Sequence, residues 1–108
     1  MFSPARLAPW VVGREALLEY AADDYLHELT RQRPWLHARY EELLEQLTAH
    51  LEERLQAPAP LKALNADVAQ EWLGSLEAEQ QEMARDLLAD FDTYLVEWGW
   101  VERSLLAA

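Results

Sequence analysis

Asp24 and His27 stand three positions apart, a spacing that on a helix puts a carboxylate and an imidazole on one face, as in half of a di-metal site. A complete site of that kind needs a second such pair and two further glutamates on facing helices. His37 and His50 have no acid three positions before them. They read as surface histidines beside ion-pair partners, and no metal is expected. The doublets Glu41-Glu42 and Glu52-Glu53 have the residue type for acid–base work. No glycine-rich turn, nucleophile elbow or pocket-forming loop accompanies them, so they read as solvated helix faces. The chain has no Cys, which removes thiolate nucleophiles, Cys-based zinc sites and disulfides. The expectation is a protein that is not an enzyme, with no catalytic residue, cofactor or small-molecule substrate.

The charges are unevenly placed. Arg6, Arg14, Arg31, Arg33 and Arg39 balance Glu15, Glu19, Asp23, Asp24 and Glu28. Beyond residue 40 the remaining acids face only Arg54, Lys62, Arg85 and Arg103, and this part carries the whole net charge of -11. Such a surface repels phosphate backbones, because affinity for nucleic acid comes from Lys and Arg displacing condensed counterions. The tryptophans divide similarly. Trp72 sits on an apolar stripe with the pattern of a core residue, whereas Trp10, Trp35, Trp98 and Trp100 lie at the ends of predicted elements. Those four are candidates for an apolar patch that meets a protein partner or a second copy of the chain. Base stacking is less well served, since Glu97 and Glu102 flank Trp98 and Trp100.

Helices must position these groups. Leu18, Ala22, Tyr25 and Leu29 form one stripe within a first helix over residues 14–31, and Pro34 then opens a second. Leu36, Tyr40, Leu43, Leu44, Leu47, Leu51 and Leu55 keep helical spacing until Pro58 and Pro60 force a connector. Asn65 is a suitable N-cap for a short third helix with Val68, Trp72 and Leu76 facing inward. A fourth starts within 77–81, carries Met83, Leu87, Phe91, Tyr94, Leu95 and Trp98 on one face, and stops at Gly99. Trp100 or Val101 is placed to pack back in a Schellman cap. No segment alternates as a strand would. The predicted architecture is all-α: a compact bundle of four main helices over 13–106, preceded by an N-terminal arm over 1–12. Met1 to Trp10 lack a continuous apolar stretch of signal-peptide length, and no run approaches the roughly 18 apolar residues of a membrane span. A soluble, cytoplasmic protein with no membrane partner is expected.

From Leu17 to about Leu106 this layout resembles the core-binding domain of tyrosine recombinases and phage integrases, a SAM-like helical module. The likeness rests on Leu17-Leu18-Glu19-Tyr20 through Leu26-His27-Glu28-Leu29, then Arg39-Tyr40-Glu41-Glu42-Leu43 after a turn. It continues with Leu61-Lys62-Ala63-Leu64-Asn65-Ala66-Asp67-Val68, the leucines Leu73 and Leu76, and the stretch from Arg85 through Phe91 and Tyr94-Leu95 to Trp98-Gly99-Trp100-Val101. The resemblance implies a fold of this kind and a place in DNA recombination. This chain departs from the pattern in three ways. Ser104-Leu105 stands where the family has Asn-Pro leading into its catalytic domain. The family's catalytic Arg, Lys, His and Tyr set has no counterpart here, and Tyr20, Tyr25, Tyr40 and Tyr94 match none of it, so recombinase activity is not expected. The helices that relatives turn toward DNA carry Glu41, Glu42, Glu45, Glu52 and Glu53, then Glu82, Asp86, Asp90 and Asp92.

The leading expectation is therefore a non-catalytic accessory module that works by contact with another protein or as a homodimer. Two alternatives stand beside it. One is a weak DNA-binding domain, led by the N-terminal arginines, with Arg31, Arg33, Arg39, Arg54 and Arg85 as candidate phosphate contacts. The other is an acidic mimic of DNA directed at a basic protein.

Overall fold

The computed structural model describes residues 16–107. Four α-helices follow one another: α1 (Leu18–Gln32), α2 (His37–Leu55), α3 (Ala66–Gly74) and α4 (Ala78–Glu97). The all-α bundle expected from the periodicity is what the chain forms. α1 packs on α2 and α4, while α3 packs on α4. The expected arm and the start of the predicted first helix, residues 14 and 15, lie outside the described residues.

Local chemistry sets the joints. Pro34 does not open α2 directly: it begins a 3-10 turn, Pro34–Leu36, and α2 starts at His37. A proline suits that first position because the missing N–H would have no intrahelical acceptor there. α2 stops at Gln56, whose φ of 56° is left-handed and whose N–H reaches the Glu52 carbonyl at 2.7 Å. A second 3-10 turn, Leu61–Ala63, leads to Asn65. The Asn65 side chain accepts from the Val68 N–H at 3.0 Å, satisfying one of the free amides at the start of α3. At the other end of the bundle Gly99 adopts φ 77°. The Trp100 N–H returns to Leu95 at 2.9 Å and the Gly99 N–H to Val96 at 3.2 Å, the paired bonds of a Schellman cap.

One apolar cluster joins all four helices and the segment after α4. Leu18 on α1, Leu44, Leu47 and Leu51 on α2, Trp72 on α3, and Leu87, Phe91 and Leu95 on α4 are sealed from solvent. Each leucine contributes roughly 1.5–3 kcal/mol by leaving water. α3 turns slightly from the expected face: Ala69, Trp72 and Leu73 are buried, whereas Val68 and Leu76 are only half-buried. Leu61 and Leu64 plug the cluster from the connector. That connector is pinned to the start of α1, because the Leu18 N–H donates to Ala59 at 2.8 Å and the Leu61 N–H to Ala16 at 2.7 Å. The pairing forms an isolated antiparallel bridge between Leu17 and Pro60.

After the Schellman cap the chain folds back over the bundle. Trp100, Val101 and Leu105 are buried, and the Asp92 carboxylate accepts from the Leu105 N–H at 2.8 Å and from the Ser104 hydroxyl. Ser104 Oγ in turn accepts from the Leu106 and Ala107 amides at 3.2 and 3.0 Å. Among the described residues no helix is long and apolar enough to cross a membrane.

Candidate functional site

The first turn of α2 and the face of α4 from Glu79 to Thr93 border a groove of about 720 Å³. Its apolar lining comes from Leu36, Met83 and Ala89. Helical spacing brings four α4 acids to the same side: Glu79, Glu82, Asp86 and Asp90 stand three or four residues apart and all line the groove. Arg33, delivered by the turn between α1 and α2, is the one basic residue in the lining among the described residues, and it is engaged with Asp90 at 2.8 Å. Glu79, Glu82 and Asp86 have no ion-pair or hydrogen-bond partner among the described residues. A smaller depression continues the groove along the same seam, sharing Glu79 and Met83 and adding Arg39, Glu42 and Leu43.

Tyr40 lies in the lining as well. The residue is only 4% exposed, and its hydroxyl forms no hydrogen bond with any described residue. Burial holds its phenol above the ordinary tyrosine value, and the nearby charges of Asp86 and Asp90 push in the same direction, with Arg33 opposing. Those three charged residues line the groove too, so the Tyr40 oxygen is on the groove side of its ring.

A second polar cluster ties α1 to α4. Tyr25 donates to Asp90 at 2.5 Å, and Tyr94 donates to Asp24, which also accepts from the Trp100 indole N–H at 3.3 Å. The Tyr25 ring meets Phe91 and Tyr94 edge-on, each with centroids 5.2 Å apart. Burial raises the Tyr25 phenol well above its ordinary range, and the bond to ionised Asp90 adds to the effect. This cluster is structural: its donors and acceptors satisfy one another. Asp24 is thereby occupied by α4 and the returning chain, while His27 is exposed. Among the described residues no three His, Asp or Glu side chains gather to hold a metal ion.

The candidate DNA contacts have carboxylate neighbours. Arg31 lies beside Glu28 at 3.8 Å, Arg33 beside Asp90, and Arg54 pairs with Glu71, which His50 also approaches at 3.2 Å. The Arg54 hydrogen bond holds the Glu71 carboxyl below its ordinary range. Arg39 is exposed among Glu42 and Glu79, and Arg85 borders a separate depression with Asp92 and Ser104. Arg6 and Arg14 lie outside the described residues.

The tryptophan candidates separate into different environments. Trp35 on the 3-10 turn is 71% exposed. Trp98 is half-exposed and stacks on Tyr94 with centroids 5.6 Å apart. Trp100 corrects the expectation of an interface: it is 1% exposed, because the Schellman cap reverses the chain and drives its indole into the core. Trp10 lies outside the described residues. Sequence reasoning missed Tyr40 as a site residue because its place on the leucine stripe of α2 marks it as core. Only its polar end, exceptional on that stripe, could have signalled otherwise. No protein-family model matches this sequence, and no curated protein or solved structure matches it either.

Proposed function

We propose that this chain is a non-catalytic helical module that acts by binding another protein, in the setting of DNA recombination or processing that its resemblance to recombinase core-binding domains suggests. The observation that carries the reading is the α2–α4 seam, where Glu79, Glu82 and Asp86 have no ion-pair partner among the described residues while Arg33 is engaged with Asp90. Phosphate contacts need free cations gathered on one face. Here Arg31, Arg33 and Arg54 each face a carboxylate within 4 Å, while Arg39 shares its depression with Glu42 and Glu79 and Arg85 borders another with Asp92. The exposed Trp35 supports protein contact, since large aromatic side chains anchor such interfaces.

A duplex titration at low salt tests this reading. Micromolar protein is expected to leave the mobility of duplex DNA unchanged. Retardation that weakens steeply as salt rises would instead establish phosphate-led binding and remove the proposal.

A further inference from the structure

We propose that the α2–α4 groove receives a basic side chain, arginine or lysine, from an extended segment of a partner protein, with Tyr40 and Asp86 as its principal polar contacts. This deepens the protein-binding reading and rests on it. Two independent observations point to the site.

The first is the charge of the lining. Four carboxylates face one guanidinium, and that guanidinium is already bound to Asp90. The excess is held over an apolar floor of Leu36, Met83 and Ala89, which suits the methylene stem of a long basic side chain while its head reaches the acids. The second is Tyr40. Tyr40 lines the groove while only 4% exposed, and its hydroxyl has no hydrogen-bond partner among the described residues, so the fold leaves it for a ligand to engage. A guanidinium or ammonium supplies the missing donor to the Tyr40 oxygen and at the same moment reaches Asp86. Neither a phosphate nor a carboxylate ligand fits, because both would meet like charge.

The shape favours a chain segment over a small cation. The groove runs on into the depression lined by Arg39, Glu42, Glu79 and Met83, where the two carboxylates outnumber the guanidinium, so a second residue of the same segment has an acid to meet further along the seam. Trp35, next to Leu36 on the 3-10 turn, is the exposed aromatic closest in sequence to the lining and offers its face to a flanking cation.

The test is a titration of isotope-labelled protein with a capped peptide bearing two arginines separated by one alanine, followed by amide NMR, with spermine and duplex DNA in parallel. Saturable shifts confined to the first turns of α2 and to α4 between Glu79 and Thr93 are expected. Tyr40→Phe should weaken the peptide about five- to tenfold, the equivalent of one hydrogen bond. Its melting temperature should stay at the parent value, because the hydroxyl bonds nothing within the fold. Asp86→Asn, an exposed substitution that spares the core, should weaken the peptide comparably and reduce its salt dependence. The proposal is overturned if Tyr40→Phe binds as tightly as the parent, if the shifts fall elsewhere, or if no saturable binding occurs. Spermine binding the same residues as tightly as the peptide would also overturn it. Duplex binding in the parallel arm removes the protein-binding reading itself, whereas a silent duplex with a silent peptide removes only the groove assignment.

Discussion

Tyr25 on α1 donates its hydroxyl to Asp90 on α4 at 2.5 Å, and the same two helices make the reverse bond, Tyr94 on α4 to Asp24 on α1. Each helix thus supplies one phenol and one carboxylate. The two bonds sit on either side of the contact between the Tyr25 and Tyr94 rings, so the helices are held in rotation as well as in distance. Arg33 joins at one side through Asp90 and Trp100 at the other through Asp24.

Asp24 is the charged acceptor for two groups from the far end of the chain, and hydrogen bonds to charged groups contribute about 1.5–3 kcal/mol. Asp24→Ala is expected to lower stability by about 2–3 kcal/mol in urea unfolding, and Asp24→Asn by less because it keeps an acceptor oxygen. Hydrogen exchange should show the amides of Trp100 and Val101 losing protection before those of α2. Equal loss across all helices would contradict this role.

Alkaline pH should destabilise the fold through Tyr25. A phenol whose folded value is raised keeps its proton when the unfolded chain has released it, so stability is fully present below the ordinary tyrosine value near 10 and declines above it. The decline approaches about 1.4 kcal/mol per pH unit for each such tyrosine. Chemical unfolding at a series of pH values should therefore steepen above pH ~10. Tyr25→Phe should flatten that slope, although it begins from a less stable protein; an unchanged slope would assign the effect elsewhere.

The two ends of the α2–α3 connector respond oppositely to substitution. Gln56 is a non-glycine residue at φ 56°, where a Cβ costs roughly 1–2 kcal/mol. Glycine removes that cost but adds freedom to the unfolded chain. Gln56→Gly is expected to raise stability by about 0.5 kcal/mol. Asn65→Ala removes the cap of α3 and should lower it by about 1 kcal/mol. Melting temperatures of the two variants should fall on opposite sides of the parent.

Tryptophan truncations separate core from surface. Trp100→Ala should cost about 3–5 kcal/mol, as for other buried aromatics. Trp35→Ala should stay within about 0.5 kcal/mol of the parent while reducing affinity for the basic peptide. A strongly destabilised Trp35→Ala would place that residue in the fold's packing instead.

The helices are legible in the sequence because apolar residues recur at helical spacing and because prolines, Asn65 and Gly99 act locally at their ends. Asn65 and Gly99 do what their types require wherever a helix begins or stops. Gln56 gives no such signal: glutamine is not a residue type that favours the left-handed region, although here its exposed side chain donates to the Glu53 carbonyl at 2.7 Å. The same limit applies to the site. That α4 would carry a row of acids is visible from spacing alone, yet which helix lies across from them depends on tertiary packing. Trp98 and Trp100 look alike in sequence, and the single left-handed glycine between them sends one to solvent and the other inward.

The pairing of Leu17 with Pro60 bears on behaviour in concentrated solution. Among the described residues it is a single rung, with α1 starting at Leu18 and a 3-10 turn at Leu61. Pro60 also has no N–H to offer. The described backbone of the connector therefore offers neighbouring molecules no row of open amides and carbonyls to extend edge to edge.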